Sequence, residues 1–158
     1  MNLTLRPARP EDLDALWQLD RDCYPRGIAY TRRDLRDFLT HPEALSQVAW
    51  SGKEIVGFLI GLYHDGQGHI ITADVRASAR RQGIASALLR GVESEMGARG
   101  VTVVELETAT NNAAGIAFWK RSGYQIVAVV PRYYLRRIDA YLMFKRLRPS
   151  VVPADLPR

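Results

Sequence analysis

Val75-Arg-Ala-Ser-Ala-Arg-Arg-Gln-Gly-Ile-Ala-Ser-Ala-Leu-Leu89 is the stretch around which the chain is organised. Immediately before it, Ile70-Ile-Thr-Ala-Asp-Val75 is apolar, β-branched and too short for a helix with its own core face, so it predicts a buried strand. Within and after it, Ile84, Leu88, Val92 and Met96 recur every four residues, which is one face of an amphipathic helix. The junction Arg80-Arg-Gln-Gly-Ile-Ala85 is short and basic. A helix start leaves backbone N–H groups without partners, and its dipole favours negative charge. Gly83 and Ala85 admit a ligand close to that backbone, and Arg80 and Arg81 add fixed charge, so the physical reading is a pyrophosphate cradle. Locally, tight packing and a solvated turn explain the same residues. A Walker P-loop is excluded because no Gly-Lys-Ser/Thr follows, and the three-glycine spacing of the dinucleotide fingerprint is absent.

The whole sequence has 158 residues, enough for one domain with a substantial core. Its 47% apolar and 25% charged content is ordinary for a globular protein. No run approaches 18 apolar residues and the first residues lack a signal-peptide h-region, so no membrane partner and a cytoplasmic location are expected. One cysteine, Cys23, excludes an internal disulfide, and three scattered histidines make a metal site unexpected. The net charge of +5 suits anionic partners and solubility equally. No direct nucleic-acid partner is expected, and a homodimer is allowed.

Leu3 and Leu5 alternate with polar residues and predict a first strand. Pro10-Glu-Asp starts a helix with apolar Leu13, Leu16, Trp17 and Leu19, ended by Tyr24-Pro25. Thr31 caps a second helix, with Asp34 in place of the glutamate of a full capping box. Gln47–Trp50 and Glu54–Tyr63 flank Ser51-Gly-Lys53 and predict an antiparallel hairpin. After the strand and helix of the opening stretch, Arg99-Gly100 stops the helix, and Val101–Thr108 predicts a strand parallel to the one at 70–75. Ala113–Ser122 is a short helix closed by Gly123, and Tyr124–Val130 and Ile138–Leu147 are closing strands. The expected unit is residues 1–147, with a proline-rich tail at 148–158.

Glu105 and Glu107 lie two apart and point to one side of their strand. A carboxylate there is a candidate base, or a solvent-facing or ion-paired group. Asn112 precedes a helix, as an N-cap does.

Arg80-Arg-Gln-Gly-Ile-Ala85 between a strand and a helix resembles the CoA pyrophosphate-binding segment of the GNAT superfamily of acyl-CoA-dependent N-acetyltransferases. Leu106-Glu-Thr-Ala-Thr-Asn-Asn-Ala-Ala-Gly-Ile-Ala-Phe-Trp-Lys-Arg-Ser-Gly-Tyr124 is similar to a second pattern of that superfamily, borne by the bacterial ribosomal-protein alanine N-acetyltransferases. Arg132-Tyr-Tyr, Asp139-Ala-Tyr-Leu-Met143 and Tyr24-Pro25 resemble the same subfamily. The resemblance implies an α/β (α+β) domain: a mixed, mostly antiparallel sheet of about seven strands with a central parallel pair, and about four helices.

It also implies roles. Ala73, Asp74 and Val75 would line the acetyl and pantetheine arm with their backbone. Arg80, Arg81, Gln82, Gly83, Ile84, Ala85 and Ser86 would hold the pyrophosphate, and Asn112 would hydrogen-bond CoA. Glu107 would be the general base. The relatives' tyrosine acid falls on Trp119, which cannot usefully give up a proton and is left lining the cofactor site. Tyr134 of the last hairpin is then the candidate acid, with Tyr133 the alternative. The expected reaction is acetyl transfer from acetyl-CoA to a primary amine, most simply a protein N-terminal α-amino group. A small-molecule amine acetyltransferase, with Asp12, Asp14, Asp20 and Asp22 favouring a cationic acceptor, and a non-catalytic acyl-CoA sensor are the alternatives.

Overall fold

A computed structural model describes residues 2–148. The proline-rich tail beyond Arg148 lies outside the described residues. Seven strands form one sheet in the order β1-β2-β3-β4-β5-β7-β6. They are β1 Leu3–Arg6, β2 Ala44–Ser51, β3 Glu54–His64, β4 Gln67–Val75, β5 Val103–Ala109, β6 Gln125–Tyr134 and β7 Ile138–Arg146. Only β4 and β5 pair in parallel. The helices are α1 Leu13–Cys23, α2 Arg32–Thr40, α3 Ile84–Ala98 and α4 Ala113–Arg121. This mixed sheet with four helices is the fold that the resemblance implied.

The helices form where the periodicity placed them. Thr31 and Asp34 make a working capping box, Thr31 Oγ1 accepting from Asp34 N at 3.0 Å and Asp34 Oδ2 from Thr31 N at 3.3 Å. Aspartate therefore serves where glutamate is usual. Gly100 and Gly123, at φ +84° and +95°, follow α3 and α4 in the left-handed conformation that ends a helix.

Two cores flank the sheet. Ile84, Leu88, Val92 and Met96 of α3 pack with Trp119 and Tyr124 on one face. Leu13, Leu16, Leu19 and Leu35 of α1 and α2 pack with Phe58 and Ile60 on the other. Gly61 on β3 lets α3 lie close, because a Cβ there would stand 2.7 Å from the Met96 methyl.

Two features of β4 differ from a plain buried strand. It starts earlier than its apolar run, at Gln67, through a second hairpin whose turn holds Asp65 and Gly66 at positive φ. It also carries a bulge: Ile60 faces Thr72 but Gly61 faces Ile70, leaving Ile71 extra. The extra residue exchanges the faces of the strand. Ile70 joins the α3 core, yet past the bulge it is Ala73 and Val75 that pack there. Thr72 and Asp74 turn instead toward α1.

That exchange buries Asp74, 1% exposed, against Asp20 of α1, 0% exposed. Thr72 donates to Asp74 Oδ1 at 2.6 Å, and the Tyr30 backbone N–H donates to Asp20 Oδ2 at 2.7 Å. The remaining oxygens, Asp20 Oδ1 and Asp74 Oδ2, are buried without a hydrogen-bond partner. A carboxyl buried beside a second carboxyl ionises at a high cost, which favours the protonated form of Asp74. Burial first, and the Asp20 carboxyl second, hold Asp74 well above its ordinary 3.8.

This stabilisation is complete below the unfolded value near 3.8 and is lost as pH rises through the raised folded value. In that window wild-type stability should fall by about 1.4 kcal/mol per pH unit. Asn at 74 holds the same hydrogen-bond geometry without titrating, so Asp74→Asn should flatten the slope and gain on wild type at alkaline pH. Denaturant unfolding from pH 5 to 9 measures it, and parallel curves would mean that the pair is not protonated.

Candidate functional site

β4 and β5 pair only through Gln67–Val103, Gly68–Val104 and His69–Glu105, and then part. The gap between them opens a cleft of about 910 Å³, bounded by the starts of α3 and α4, by the loop after α1 and by β6. Past the bulge, the carbonyls of Ala73 and Val75 turn into this gap. Ala73 O accepts from the Tyr24 hydroxyl at 3.2 Å; Val75 O accepts from Arg80 Nε at 3.2 Å and from the Cys23 thiol at 3.5 Å. In an extended residue N–H and C=O point to the same side. The N–H groups of Ala73 and Val75 therefore face the gap too.

α3 begins at the same cleft. Its N-cap is Gly83 at φ +78°, and no side chain caps it. A Cβ built at Gly83 would meet nothing within 4 Å, so the first turn is open to a ligand. Arg80, Arg81, Gly83, Ile84, Ala85 and Ser86 all line the cleft. Gln82, expected beside them, is not among the lining residues. Arg81 adopts φ +64°, a conformation uncommon for a side-chain-bearing residue. Arg121 of α4 adds a further cation at the cleft.

On the opposite wall, Asn112 caps α4: its Oδ1 accepts from Gly115 N at 3.0 Å. The local reading as a cap is thus correct, and the same side chain lines the cleft. Trp119 is 8% exposed and packs edge-on against Phe118 and Tyr124, at ring distances of 4.9 and 5.4 Å. Cys23 borders the cleft, but burial first and Asp74 second push its thiol up to about 11, so it is not a thiolate nucleophile at neutral pH. No cluster of three metal-binding side chains converges among the described residues.

Glu107 lines the cleft with its side chain 19% exposed. Its Oε2 lies 2.6 Å from Nε2 of His69 across the parallel pair. This partner was not foreseen, because His69 lies 38 residues away and before the apolar run of β4. The hydrogen bond to Glu107, larger than the opposing effect of burial, raises the His69 pKa above 6.5. Around the carboxylate stand Tyr30, Tyr133 and Tyr134; burial and then neighbouring charge raise all three hydroxyls, Tyr30 to about 12. They are neutral donors at physiological pH. The Tyr134 hydroxyl donates to the Glu107 carbonyl at 3.3 Å.

The acids of the first helix are occupied elsewhere. Asp12 pairs with Arg6 at 2.7 Å, Asp14 with Arg32 at 2.6 Å, Asp22 with Gln18, and Asp20 is buried against Asp74. They do not form a cation-binding lip.

A sheet that parts beside an uncapped helix start, with a carboxylate at the parting, defines the class. Residues 13–124 match the family described as Acetyltransferase (GNAT) family, and the chain belongs to it: it is a GNAT-type N-acetyltransferase. An N-acetyltransferase of Methanocaldococcus jannaschii is 28% identical over 91% of this chain and 92% of its own length. The N-alpha-acetyltransferase of Sulfurisphaera tokodaii is 29% identical over 88% and 90%. Among solved structures, Ard1 from Thermoplasma volcanium superposes with TM-score 0.87 at 25% identity, over 94% of this chain and 99% of that one. The Escherichia coli ribosomal-protein-S18-alanine N-acetyltransferase shares the fold with TM-score 0.85 at 21% identity, over 99% and 100%. Arabidopsis thaliana NAA60, solved in complex with acetyl-CoA, does so with TM-score 0.80 at 23% identity, over 92% and 99%.

The His69–Glu107 contact can be read directly. Its stabilisation is complete below the unfolded histidine value near 6.5 and is lost as pH rises through the raised folded value. NMR titration should give His69 a pKa above 6.5, returning toward 6.5 in Glu107→Gln. Identical titrations in both proteins would mean that the contact does not form in solution.

Proposed function

We propose that the chain, through the unit at residues 1–147, transfers the acetyl group of acetyl-CoA to a protein N-terminal α-amino group. The observation that carries this reading is the parting of β4 and β5, with the backbone of Ala73 and Val75 on one side and Glu107 on the other. Relatives named N-alpha-acetyltransferase and a fold shared with an acetyl-CoA complex support it.

The residues present fit the cosubstrate. The uncapped start of α3, with Arg81 and Arg121 nearby, suits a pyrophosphate. Arg80 contributes charge but is also tied to Val75, so its role is partly to shape the strand end. Ala73 and Val75 offer the pantetheine arm their backbone, whereas Asp74, expected beside them, turns its backbone to β3 and its side chain toward α1, so it holds the strand end in place without touching the arm. The Asn112 side-chain amide offers a donor from the opposite wall. Trp119 supplies an apolar surface. Acetyl-CoA brings an activated thioester.

Glu107 takes the proton of the attacking amine, directly or through one water. An α-amino group, with a reference pKa near 8, is easier to relieve than a lysine near 10.4. His69 holds the Glu107 carboxylate in place and donates to it. The N–H groups of Ala73 and Val75 face where the thioester oxygen gains charge. Tyr134 returns a proton to the departing sulfur, the task that Trp119 cannot perform.

Three outcomes are expected. Acetyl-CoA at 100 times its dissociation constant should stabilise the protein by about 2.7 kcal/mol, and Gly83→Val should lose this gain. Glu107→Gln should cut the maximal rate by about 10²–10⁴ with acetyl-CoA affinity nearly intact, the deficit shrinking at high pH. Peptides with a free α-amine should be acetylated in preference to N-blocked lysine peptides. Equal thermal shifts, wild-type turnover in the Gln variant, or a lysine preference would each remove the corresponding element.

A further inference from the structure

The two segments that frame Glu107 on the outer side meet each other. Residues 24–31, between α1 and α2, contribute Tyr24, Ile28 and Tyr30 to the cleft; the β6–β7 hairpin contributes Tyr134 and Ile138. A Cβ on Gly27 would stand 2.5 Å from the Leu135 side chain, so the first segment and the hairpin tip are in contact. This rim lies beside Glu107 on the path of a chain whose terminal amine enters from this side.

The rim carries charge of one sign. Arg26 adjoins Gly27, and Arg132, Arg136 and Arg137 flank the Tyr133-Tyr134 pair; all four are exposed. Neither residues 24–31 nor residues 125–138 contain a single Asp or Glu. The first carboxylate after them, Asp139, is used to accept from the Arg132 backbone N–H at 2.9 Å. None of the four guanidinium groups is in an ion pair among the described residues.

The backbone supplies a second observation. Arg132, Leu135 and Arg136 have φ of +52°, +55° and +56°. Side-chain-bearing residues rarely adopt this region, and Gly or Asn would hold it at less strain. A hairpin that places arginine there keeps a cation at the cost of local stability, and such departures from local preference gather at functional sites.

We infer, resting on the N-terminal reading above, that the acceptor is a polypeptide whose first residues after the amine carry carboxylates, and that Arg26, Arg132, Arg136 and Arg137 select it. The amine enters over Glu107 while the following side chains lie against the rim. The same four cations repel polyamines and lysine-rich or arginine-rich termini. Each contact is exposed and modest alone; the selection comes from the sum and weakens with salt.

The test is kcat/KM at saturating acetyl-CoA for three peptides that share one sequence except at positions two to four, which are acidic, amide or lysine. The acidic peptide should exceed the amide peptide by about tenfold at low salt, and the lysine peptide should fall below both. The spread should narrow at about 0.5 M salt. Arg136→Asn removes one charge and relieves the positive φ, so it should hold or raise the Tm while reducing the acidic preference. Arg136→Glu with Arg137→Glu should reverse the order, whereas Arg90→Glu on α3 should leave it unchanged. Equal rates for the acidic and amide peptides, or a preference unaltered by the hairpin variants, overturn the inference and leave N-terminal acetylation standing. If acetyl-CoA binds but no peptide is acetylated, the N-terminal reading falls and this inference falls with it.

Discussion

The parting of β4 from β5 is the constraint on which the rest of the structure depends. Buried backbone N–H and C=O groups without partners cost about 1–3 kcal/mol each. A sheet therefore seldom opens in its middle unless other groups take up the exposed edge. Here the carbonyl edge is taken up from within the chain: Tyr24 reaches Ala73, and Arg80 and Cys23 reach Val75. These donors come from the end of α1 and from the turn before α3, so both elements are held by the gap that they line. The N–H edge is left to whatever enters.

The bulge at Ile71 makes this arrangement possible. By exchanging the faces of β4 it sends Asp74 toward α1, where its carboxyl lies buried against Asp20. A buried carboxyl pair is a poor source of stability compared with apolar packing. It does fix a relation: α1 cannot slide along β4 without stranding two buried carboxyls. Tyr24 and the segment to Tyr30 follow directly from α1, and Tyr30 N is itself bonded to Asp20. Asp20 thus links β4 to one wall beside Glu107.

Much of this was legible in the sequence. The strand, basic turn and helix at 70–99, the caps at Thr31 and Asn112, and the stops at Gly100 and Gly123 all form as their local chemistry dictates. Of the residues expected at the cleft, Gln82 and Tyr133 do not line it, while Ile28, Tyr30 and Arg121 line it without having been expected. What stayed hidden depended on register. His69 lies outside the strand expected at 70–75, and only the three paired positions of β4 and β5 bring it beside Glu107. Asp12, Asp14, Asp20 and Asp22 favoured a cationic acceptor under the small-molecule alternative, but Arg6, Arg32, Asp74 and Gln18 respectively take them up.

By itself the sequence determined the elements, their order and the open helix start at Gly83, because these rest on periodicity, capping and turn chemistry among residues within a few positions of one another; the family was legible through the resemblance of Arg80–Ala85 and Leu106–Tyr124 to two motifs of the superfamily. Only the tertiary structure decided where β4 bulges and leaves β5, that Asp20 meets Asp74, that His69 meets Glu107, and that residues 24–31 meet the last hairpin. Each of these joins residues many positions apart, and a single inserted residue in β4 reverses which side chains face the cleft. Sequence periodicity carries no record of that reversal, since Ile70 and Ile71 are the same residue type on opposite faces.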